Sequence, residues 1–576
     1  MASVIFWVLL SCATALWTLT KILSSRSQAR KNEKCPQLAR NEGTAVRGGR
    51  KSRRERANKF NQEDFISTEE SQDSKGPYEK KVLRGPTPLP LIGSLHLLRG
   101  PAGPFDAFTR LSHQYGDIYE IQLGVAKCVV VSSYNLLKEV LITKGSQFGG
   151  RPDFLRFHQL FGGDRNNSLA LCDWSDLQRQ RRSIARSFCS PRGGSPQQEE
   201  FSRIGTLEAT QLLRALEKKD SIPTLEGKQS LKPLLLASLA NMFTRYMCST
   251  RFSYEDEEFR RIVRSFDEIF WDINQGSPVD FLPWLSPFYT KEMNRLNDWS
   301  TDIRSFILRR IIDRHRETLD TVTGTPRDFT DALLLHLESP QTDLSWQHII
   351  YELEDFIGGH SAVGNLVMLI LANTAVYPEV QKKIQAECDN ILSRADRTDE
   401  LISFNDRLEM AYTEAVIWET LRIASSPIVP HVATEDTDID GYPVAKDTVV
   451  FVNNFHLNLG ESYWGPDSRE FRPERFLKPI DGASINDGTY EGPKYRVHKP
   501  EYFVPFSTGK RTCIGQRLVQ GFAFIIVTAL VSRYDVLPVT DNLKLHLLPG
   551  CVAVPPDPFH LKLQPRKRGF QASPSA

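Results

Sequence analysis

Hydrophobic and polar positions follow different periods in different parts of the chain, and each change of period marks an element. Residues 117 to 133, DIYEIQLGVAKCVVVSS, alternate β-branched and other residues around a glycine, which predicts a pair of strands. From about residue 200 to residue 425 apolar positions recur with helical spacing. We therefore predict a mainly α fold with a small β region.

One helical pattern is unusually long. It follows Ser345, a predicted N-cap, and runs through WQHIIYELEDFIGGHSAVGNLVMLILANTAV until Pro378 approaches. About 30 residues at about 1.5 Å each would cross a whole domain. The glycines in GGHSAVG each cost about 1 kcal/mol in a helix interior. They predict a bend or the close approach of another group, and a helix break is the alternative.

The N-terminus has the pattern of a membrane anchor. Its apolar run of about 20 residues has no charge before Lys21, and that length is enough to span a bilayer. Basic residues follow from Arg26 to Arg40, which by the positive-inside rule keeps the rest of the chain in the cytosol. Residues 1–23 are predicted to be a transmembrane anchor, with a cleaved signal peptide as the alternative.

A polar segment separates this anchor from the folded part. Within residues 24–83, RGGRKSRRER is strongly basic and NQEDFISTEESQD is acidic, and apolar residues are too few to order the segment. Pro86, Pro88 and Pro90 then make the chain stiff and extended. We predict a disordered tether over residues 24–83 and one folded domain over residues 84–576.

The charge and the cysteine content argue against several kinds of binding site. The formal net charge of +2 over 576 residues argues against nucleic-acid binding by bulk electrostatics. The nine cysteines are scattered and odd in number, which argues against a disulfide scaffold or a zinc site and fits a reducing compartment. The role of Cys513 must therefore be one that needs no second cysteine.

Cys513 lies in PFSTGKRTCIG, residues 505 to 515. A lone thiolate acts as a nucleophile or a metal ligand, and no histidine near it in sequence forms a recognisable catalytic signature. As a ligand it suits haem iron. Gly509 and Gly515 would then let the loop lie against the macrocycle, Arg511 would pair with a propionate, and Phe506 would keep the sulfur dry.

A second group of charges has a structural pattern. Glu419 and Arg422 are three residues apart on a predicted helix and so share a face. Arg475 follows in FRPERF. If buried, the three must be fully paired to be tolerated.

Together these motifs resemble the cytochromes P450. FSTGKRTCIG matches F-x-x-G-x-R-x-C-x-G, Glu419 to Arg422 matches E-x-x-R, and PERF matches the motif that follows. The resemblance covers residue 84 to the end. It implies the mainly helical fold of that family, haem b held by Cys513 beside the long helix, and a lipophilic substrate. It also implies electrons from NADPH through a cytochrome P450 reductase, and an endoplasmic reticulum membrane with the catalytic domain in the cytosol.

Other positions can be placed by the same resemblance. Trp174 is similar to the tryptophan that meets a haem propionate, and His431 falls where the family has a propionate-binding Arg or His. The family usually has a basic residue four positions after the tryptophan, but here that position is Gln178. Arg179 or Arg182 would take its place.

The long helix departs from the family pattern Ala/Gly-Gly-x-Asp/Glu-Thr. One register places Ser361 at the acid and Ala362 at the threonine, and the other places His360 and Ser361 there. We favour the first because it keeps both small residues. Without the acid–threonine pair, protons would reach oxygen through Ser361, His360, water or a substrate hydroxyl. Otherwise the enzyme is an isomerase or dehydratase.

Within the family, DFIGGHSAVGN resembles the insect Spook and Spookier group of moulting-hormone synthesis. This resemblance implies a monooxygenase acting on a sterol, in an early step from 7-dehydrocholesterol towards the ketodiol. The alternatives are oxidation of a fatty acid or xenobiotic, the isomerase or dehydratase reaction, and a haem-binding sensor without catalysis.

Overall fold

A computed structural model describes most of the folded part of the chain. The described residues are 81–99, 103–191, 193–218, 224–225, 228–321, 324–339, 343–394, 401–480, 495–539, 551–556 and 559–566. The predicted anchor and the predicted tether up to residue 80 lie outside them.

The mainly helical architecture predicted from the sequence is confirmed. The longer helices are Gly103–Tyr115, Asp176–Cys189, Pro196–Glu217, Leu231–Cys248, Glu257–Asn274, Thr290–Ile307, Phe329–Leu337, Trp346–Val376, Pro378–Leu392, Ala411–Ala424 and Gln516–Arg533. Shorter helices and helical turns are Leu95–Leu98, Tyr134–Lys138, Glu139–Thr143, Leu155–Leu160, Arg165–Asn167, Pro278–Phe281, Pro283–Phe288, Leu308–Ile312, Asp313–Thr318, Phe404–Glu409, Asn454–Leu459, Glu461–Trp464, Pro473–Phe476 and Gly509–Arg511.

The β structure is small. One four-stranded sheet has the order Ile118–Leu123, Ala126–Val131, Val449–Val452 and His431–Val432. Its first two strands are antiparallel, with Ile118 opposite Val131, so the strand pair predicted over residues 117 to 133 is confirmed. Two-stranded pairs join Thr224–Leu225 with Lys228–Gln229, Thr437–Ile439 with Tyr442–Val444, Leu477–Pro479 with Tyr495–Val497, and Tyr534–Pro538 with Leu561–Pro565.

The long helix, Trp346–Val376, is called the central helix below. Ser345 caps it as predicted: its hydroxyl accepts from the His348 N–H, and the His348 ring accepts from the Ser345 N–H. The helix is unbroken through its glycines. A Cβ on Gly364 would lie 2.4 Å from a Leu236 side-chain atom, so close packing explains that glycine.

The central helix also has the length and mean hydropathy, 1.4, of a membrane-spanning segment. Of its most apolar window, 78% is buried inside the protein. It is therefore the core helix of the folded domain, and the main hydrophobic cluster forms around it and Gln516–Arg533. In that cluster Phe522 stacks on Phe201 with ring centroids 4.5 Å apart.

Candidate active site

The loop that carries Cys513 is anchored on both sides. The Cys513 N–H donates to the Phe506 carbonyl at 2.9 Å, and the Phe506 ring packs edge-on against Trp418 at 6.2 Å. Gly509 has φ of +72°, and a Cβ there would lie 1.9 Å from the Leu141 carbonyl oxygen. Only glycine meets both requirements, so this residue fixes the path of the loop.

Cys513 differs from the other cysteines of the described region. It is exposed, whereas Cys128, Cys172, Cys189, Cys248, Cys388 and Cys551 are buried. Protein nevertheless surrounds it closely enough for burial to raise the pKa of its thiol. The N–H groups of Gly515 and Gln516, at the start of the last long helix, and the Arg182 charge act against that rise. These groups favour the thiolate that a metal ligand requires.

Gly515 immediately precedes that helix. Among the described residues, no atom outside its immediate chain neighbours lies within 4 Å of a Cβ built there, and its φ of −77° suits any residue. The protein atoms alone therefore give no reason for glycine at this position.

Arg511 points back into the protein beside the Cys513 loop. Its guanidinium donates to the Gly149 carbonyl at 3.1 and 2.5 Å and also to the Cys172 carbonyl. The Trp174 ring lies 5.7 Å from the guanidinium carbon. Arg511 and Trp174, each of which is predicted to meet a haem propionate, are thus brought together.

The structure distinguishes between the two arginines that follow Trp174. Arg182 is buried and donates to the Thr512 carbonyl, next to the cysteine, at 2.5 Å. Arg179 is exposed and pairs with Asp176 at 3.2 Å. Gln178 donates to a backbone carbonyl at 2.7 Å. Arg182 is therefore the basic residue of this helix that lies at the loop.

His431, which is also predicted to bind a haem propionate, belongs to the same region. Its Nδ1–H donates to the Phe148 carbonyl at 2.8 Å. Burial and the charges of Arg151 and Arg511 hold the pKa of His431 well below its usual range. The ring is therefore neutral unless an anion lies beside it.

Arg151 belongs to this region, although the sequence analysis did not single it out. Its guanidinium is buried and donates to the carbonyls of Ala170, Val429 and Pro430. A usable signal was present in the sequence, because two glycines precede Arg151. A Cβ on the first, Gly149, would lie 2.7 Å from the Trp174 Cβ. We call Arg151, Arg182, Arg511 and His431 the cationic cluster.

The cationic cluster has open hydrogen-bonding positions. In the part of the chain that the structure describes, Arg182 Nε, Arg511 Nη1 and His431 Nε2 are buried without a partner. Buried polar groups are nearly always hydrogen-bonded, and an unsatisfied one costs about 1–3 kcal/mol. Burial and Arg511 also lower the pKa of Arg182 to about 10. The cluster is built to receive an anion.

The central helix has one face that is less buried than the others, called the open face below. Between Tyr351 and Ala375 only Asp355, Gly358, Gly359 and Ala362 are not fully buried. Their spacing of three, four and seven residues places them on the same face. Ala362 therefore lies on the open face, and its neighbours His360 and Ser361 do not.

His360 and Ser361 lie elsewhere on the helix and are fully buried. The His360 Nδ1–H donates to the Ile357 carbonyl at 2.6 Å, and its ring meets Phe266 edge-on at 5.5 Å. The Ser361 hydroxyl lies 3.5 Å from His360 Nε2. Burial lowers the pKa of His360, so its ring is neutral near pH 7.

Glu419, Arg422 and Arg475 form a closed network away from the open face. Arg422 donates to both Glu419 oxygens at 2.7 and 2.6 Å, and Arg475 donates to one at 3.0 Å. Both members of the Glu419–Arg422 pair are fully buried. Further donors of Arg422 reach the carbonyls of Asn458 and Ser468, so the network stabilises the fold around it.

Comparison with known proteins identifies the family. The Cytochrome P450 family model matches residues 83–563. Cytochrome P450 307a1 of Drosophila melanogaster is 48% identical over 494 residues, which cover 84% of this chain and 89% of that protein. Cytochrome P450 1A1 of Sparus aurata and Cytochrome P450 1A5 of Gallus gallus are each 29% identical over 81% of this chain and 86% of their own length.

The chain is a cytochrome P450. As a member of this family it is an oxidoreductase of the monooxygenase type, which confirms the resemblance of its motifs. The family implies haem, which activates dioxygen when it is bound. The residues of this P450 fit that group: Cys513 would supply a thiolate ligand to its iron. The open nitrogens of Arg182, Arg511 and His431 suit its two propionate carboxylates.

The remaining residues of the P450 site contact other parts of the protein. The Trp174 ring lies against Arg511 of the cationic cluster, and Phe506 and Gly509 set the path of the cysteine loop. Gly358 and Gly359 lie close to neighbouring aromatic rings, since a Cβ on them would lie 3.0 Å from Phe266 and 3.3 Å from Phe243. The described residues would therefore hold the cofactor mainly by charge at the cationic cluster and by the thiolate of Cys513.

Proposed function

We propose that this P450 oxidises a sterol in an early step of moulting-hormone synthesis, from 7-dehydrocholesterol towards the ketodiol. The observation that carries the proposal is the segment DFIGGHSAVGN, which resembles the insect Spook and Spookier group. The insect relative at 48% identity, against 29% for the two vertebrate P450s, supports it.

The open face of the central helix is compatible with a sterol. Its two glycines lie against the rings of Phe266 and Phe243, and an apolar, aromatic lining suits a rigid ring system. Because Ala362 carries no hydroxyl, we propose that protons reach the oxygen through water or a substrate hydroxyl. His360 and Ser361, the sequence-based candidates for this relay, are buried off that face, so the substrate-assisted route has the stronger support.

Electron supply and location follow from the same proposal. NADPH–cytochrome P450 reductase provides the electrons, residues 1–23 anchor the protein in the endoplasmic reticulum membrane, and the catalytic domain faces the cytosol. Protease added to sealed microsomes should then digest the large domain. Protection of that domain would reverse the orientation.

The decisive experiment combines the purified protein, the reductase and 7-dehydrocholesterol, followed by identification of the product. We expect a product that forms only when NADPH and dioxygen are both present. Ala362 in place of the usual threonine also suits a P450-type isomerase or dehydratase. A product that forms with the reductase omitted would favour that second function. Turnover of fatty acids or xenobiotics, but not of the sterol, would contradict the proposed substrate.

A further inference from the structure

Asn365 directly follows the GGHSAVG segment and is fully buried on the central helix. Its side-chain N–H₂ donates to Asp267 Oδ1 at 2.9 Å and to the Ser361 carbonyl at 2.8 Å. Its Oδ1 accepts from the Val554 N–H at 3.2 Å. Asp267 belongs to the helix Glu257–Asn274, called the Phe266 helix below. One side chain therefore connects that helix, the central helix and the C-terminal segment around Val554.

The acid that Asn365 contacts is paired with a buried lysine. Lys232 Nζ lies 2.7 Å from Asp267 Oδ2, and both side chains are buried. Lys232 also donates to the carbonyls of Val554 and Pro555, each at 2.9 Å, so its three donors all have partners. Buried charges are tolerated when they are fully paired. The bond from Asn365 to Asp267 is thus one to a charged group, which is stronger than one between neutral groups.

Two residues of GGHSAVG contact Phe266, the neighbour of Asp267. A Cβ on Gly358 would lie 3.0 Å from two atoms of the Phe266 ring, so glycine allows the ring to lie against the helix backbone. The His360 ring meets the Phe266 ring edge-on at 5.5 Å. Together with the amide of Asn365, three positions of one segment hold two consecutive residues of the Phe266 helix.

The placement of the Phe266 helix affects the open face of the central helix. Gly358, which the Phe266 ring covers, lies on that face, as does Ala362. Phe270 and Ile273 follow Phe266 by four and seven residues, so they lie on the same side of their helix. Both are only partly buried and apolar. The position of this helix therefore decides which apolar surface borders the open face.

We infer that Asn365 is a positioning residue, which fixes the Phe266 helix on the central helix and so sets an apolar wall beside the open face. The segment GGHSAVGN is the seat of that wall. Gly358 provides space for the ring, His360 packs against it, and Asn365 holds the adjacent acid. The inference concerns the shape of the site and holds whatever apolar substrate the enzyme takes, so it goes beyond the proposed sterol oxidation.

The first test measures amide hydrogen exchange in the haem-loaded, full-length protein. Asn365→Leu keeps the size of the side chain and removes its hydrogen bonds. Exchange in the Phe266 helix should rise at least about 10-fold, from the usual strength of a hydrogen bond to a charged group. The control is Thr374→Val, which removes a buried bond within the central helix, from the Thr374 hydroxyl to the Leu371 carbonyl at 2.8 Å. It should leave that exchange unchanged, and an equal rise in both variants would overturn the inference.

Reversing the two partners separates a specific contact from general damage. Asn365→Asp alone places two carboxylates side by side and should also raise exchange. Adding Asp267→Asn restores a bond between an amide and a carboxylate, with donor and acceptor exchanged, and keeps an oxygen for Lys232. Exchange in the double variant should return to within about 3-fold of the unmodified protein, since a coupled pair is not additive. A double variant that exchanges as fast as Asn365→Asp would overturn the inference.

A pair of neighbouring glycines keeps the test decisive if the Asn365 variants fail to accumulate. Alanine favours helix over glycine, so Gly358→Ala and Gly359→Ala should both accumulate. The first pushes on the Phe266 ring, and the second pushes on Phe243, at 3.3 Å, in the helix Leu231–Cys248. Exchange in the Phe266 helix should rise in Gly358→Ala and stay unchanged in Gly359→Ala. Equal exchange in the two variants would overturn the inference.

The effect on the site is measured with two ligands of haem iron, imidazole and the larger 4-phenylimidazole. A wall that opens more often should admit the larger ligand more readily, because apparent affinity follows the population of the competent state. In Asn365→Leu the affinity of 4-phenylimidazole relative to imidazole should therefore rise, by up to about 10-fold. An unchanged or lower ratio would overturn the inference. Neither readout uses a sterol, so a failure of 7-dehydrocholesterol to react would contradict the proposed function alone.

Discussion

Two groups of buried basic and acidic side chains in this P450 differ in how many of their nitrogens lack a hydrogen-bond partner. The network of Glu419, Arg422 and Arg475 contains a carboxylate, and its guanidinium groups are bonded to that acid and to backbone carbonyls. The cationic cluster contains no carboxylate. Among the residues the structure describes, three of its nitrogens have no partner.

This difference separates a structural role from a binding role. Burying charge is tolerated when every group is paired, so the closed network stabilises the fold without any ligand. In the cationic cluster the arginines repel one another, so an anion from outside the chain would stabilise it. Two propionate carboxylates have the charge that it needs.

The largest effect should come from breaking the closed network. In Glu419→Ala two arginines lose their buried acid, a change that costs about 3–5 kcal/mol. We expect no accumulation of haem-loaded protein, measured by the reduced carbon monoxide spectrum and by total yield. The control is Glu474→Ala, whose acid pairs with Lys383 at the surface and which should accumulate normally. A stable Glu419→Ala protein would contradict the structural role.

Replacing Cys513, the proposed thiolate ligand of the haem, should leave the closed network intact. Cys513→Ala should therefore accumulate, yet lose the red-shifted Soret band that thiolate ligation produces in the reduced carbon monoxide complex. Cys172→Ala is a matched control, since Cys172 is buried near Arg511 and should keep the band. If Cys513→Ala retains the band, another residue ligates the iron.

Breaking the cationic cluster should affect the cofactor more than the fold. Arg511→Met removes a hydrogen bond to a charged group, worth about 1.5–3 kcal/mol, and should speed haem loss by about 10- to 100-fold. Haem transfer to an acceptor protein measures that rate. Arg179→Met, on the exposed side of the neighbouring helix, should have no effect. Equal haem retention in the two variants would mean that Arg511 is not a haem ligand.

The pH dependence of stability should differ between the haem-free and haem-loaded protein. The folded haem-free protein holds the pKa of His431 well below its usual range. Below about pH 6.5 the unfolded chain therefore binds a proton that the folded chain does not, and the free energy of unfolding falls as the pH falls.

A propionate beside His431 Nε2 would favour the protonated ring and flatten this dependence. Urea unfolding at pH 5, 6 and 7 measures both slopes. The pKa of His360 is also lowered by burial, but His360 lies outside the cluster and contributes equally to both forms. A slope that haem does not change would place the propionates away from His431.

The smallest effect should come from a polar residue outside both groups. Ser361 is fully buried and off the open face, so Ser361→Ala should change product formed per NADPH by less than about 2-fold. Peroxide release is the second readout. Ala362→Thr, on the open face, is the companion variant and should change coupling more. A large rise in peroxide in Ser361→Ala would instead support the relay through Ser361 and His360.

Local sequence signals were sufficient for much of this protein. The strand pair and the capped central helix follow from residue spacing, because period and capping are properties of neighbouring residues. The contiguous motif around Cys513 identified the family for the same reason, since its chemistry is contained in eleven consecutive residues.

Tertiary structure decided what depends on residues distant in sequence. Whether Arg179 or Arg182 lies at the cysteine loop, and whether Ala362 or Ser361 is fully buried, depends on which helix face meets which neighbour. Arg151 carries no local motif, and only the fold brings its guanidinium to the carbonyls of Ala170, Val429 and Pro430. Charge pairing and burial are properties of that packing. The sequence shows which residues are charged, and the fold determines which of them are buried and which keep a nitrogen available to a ligand.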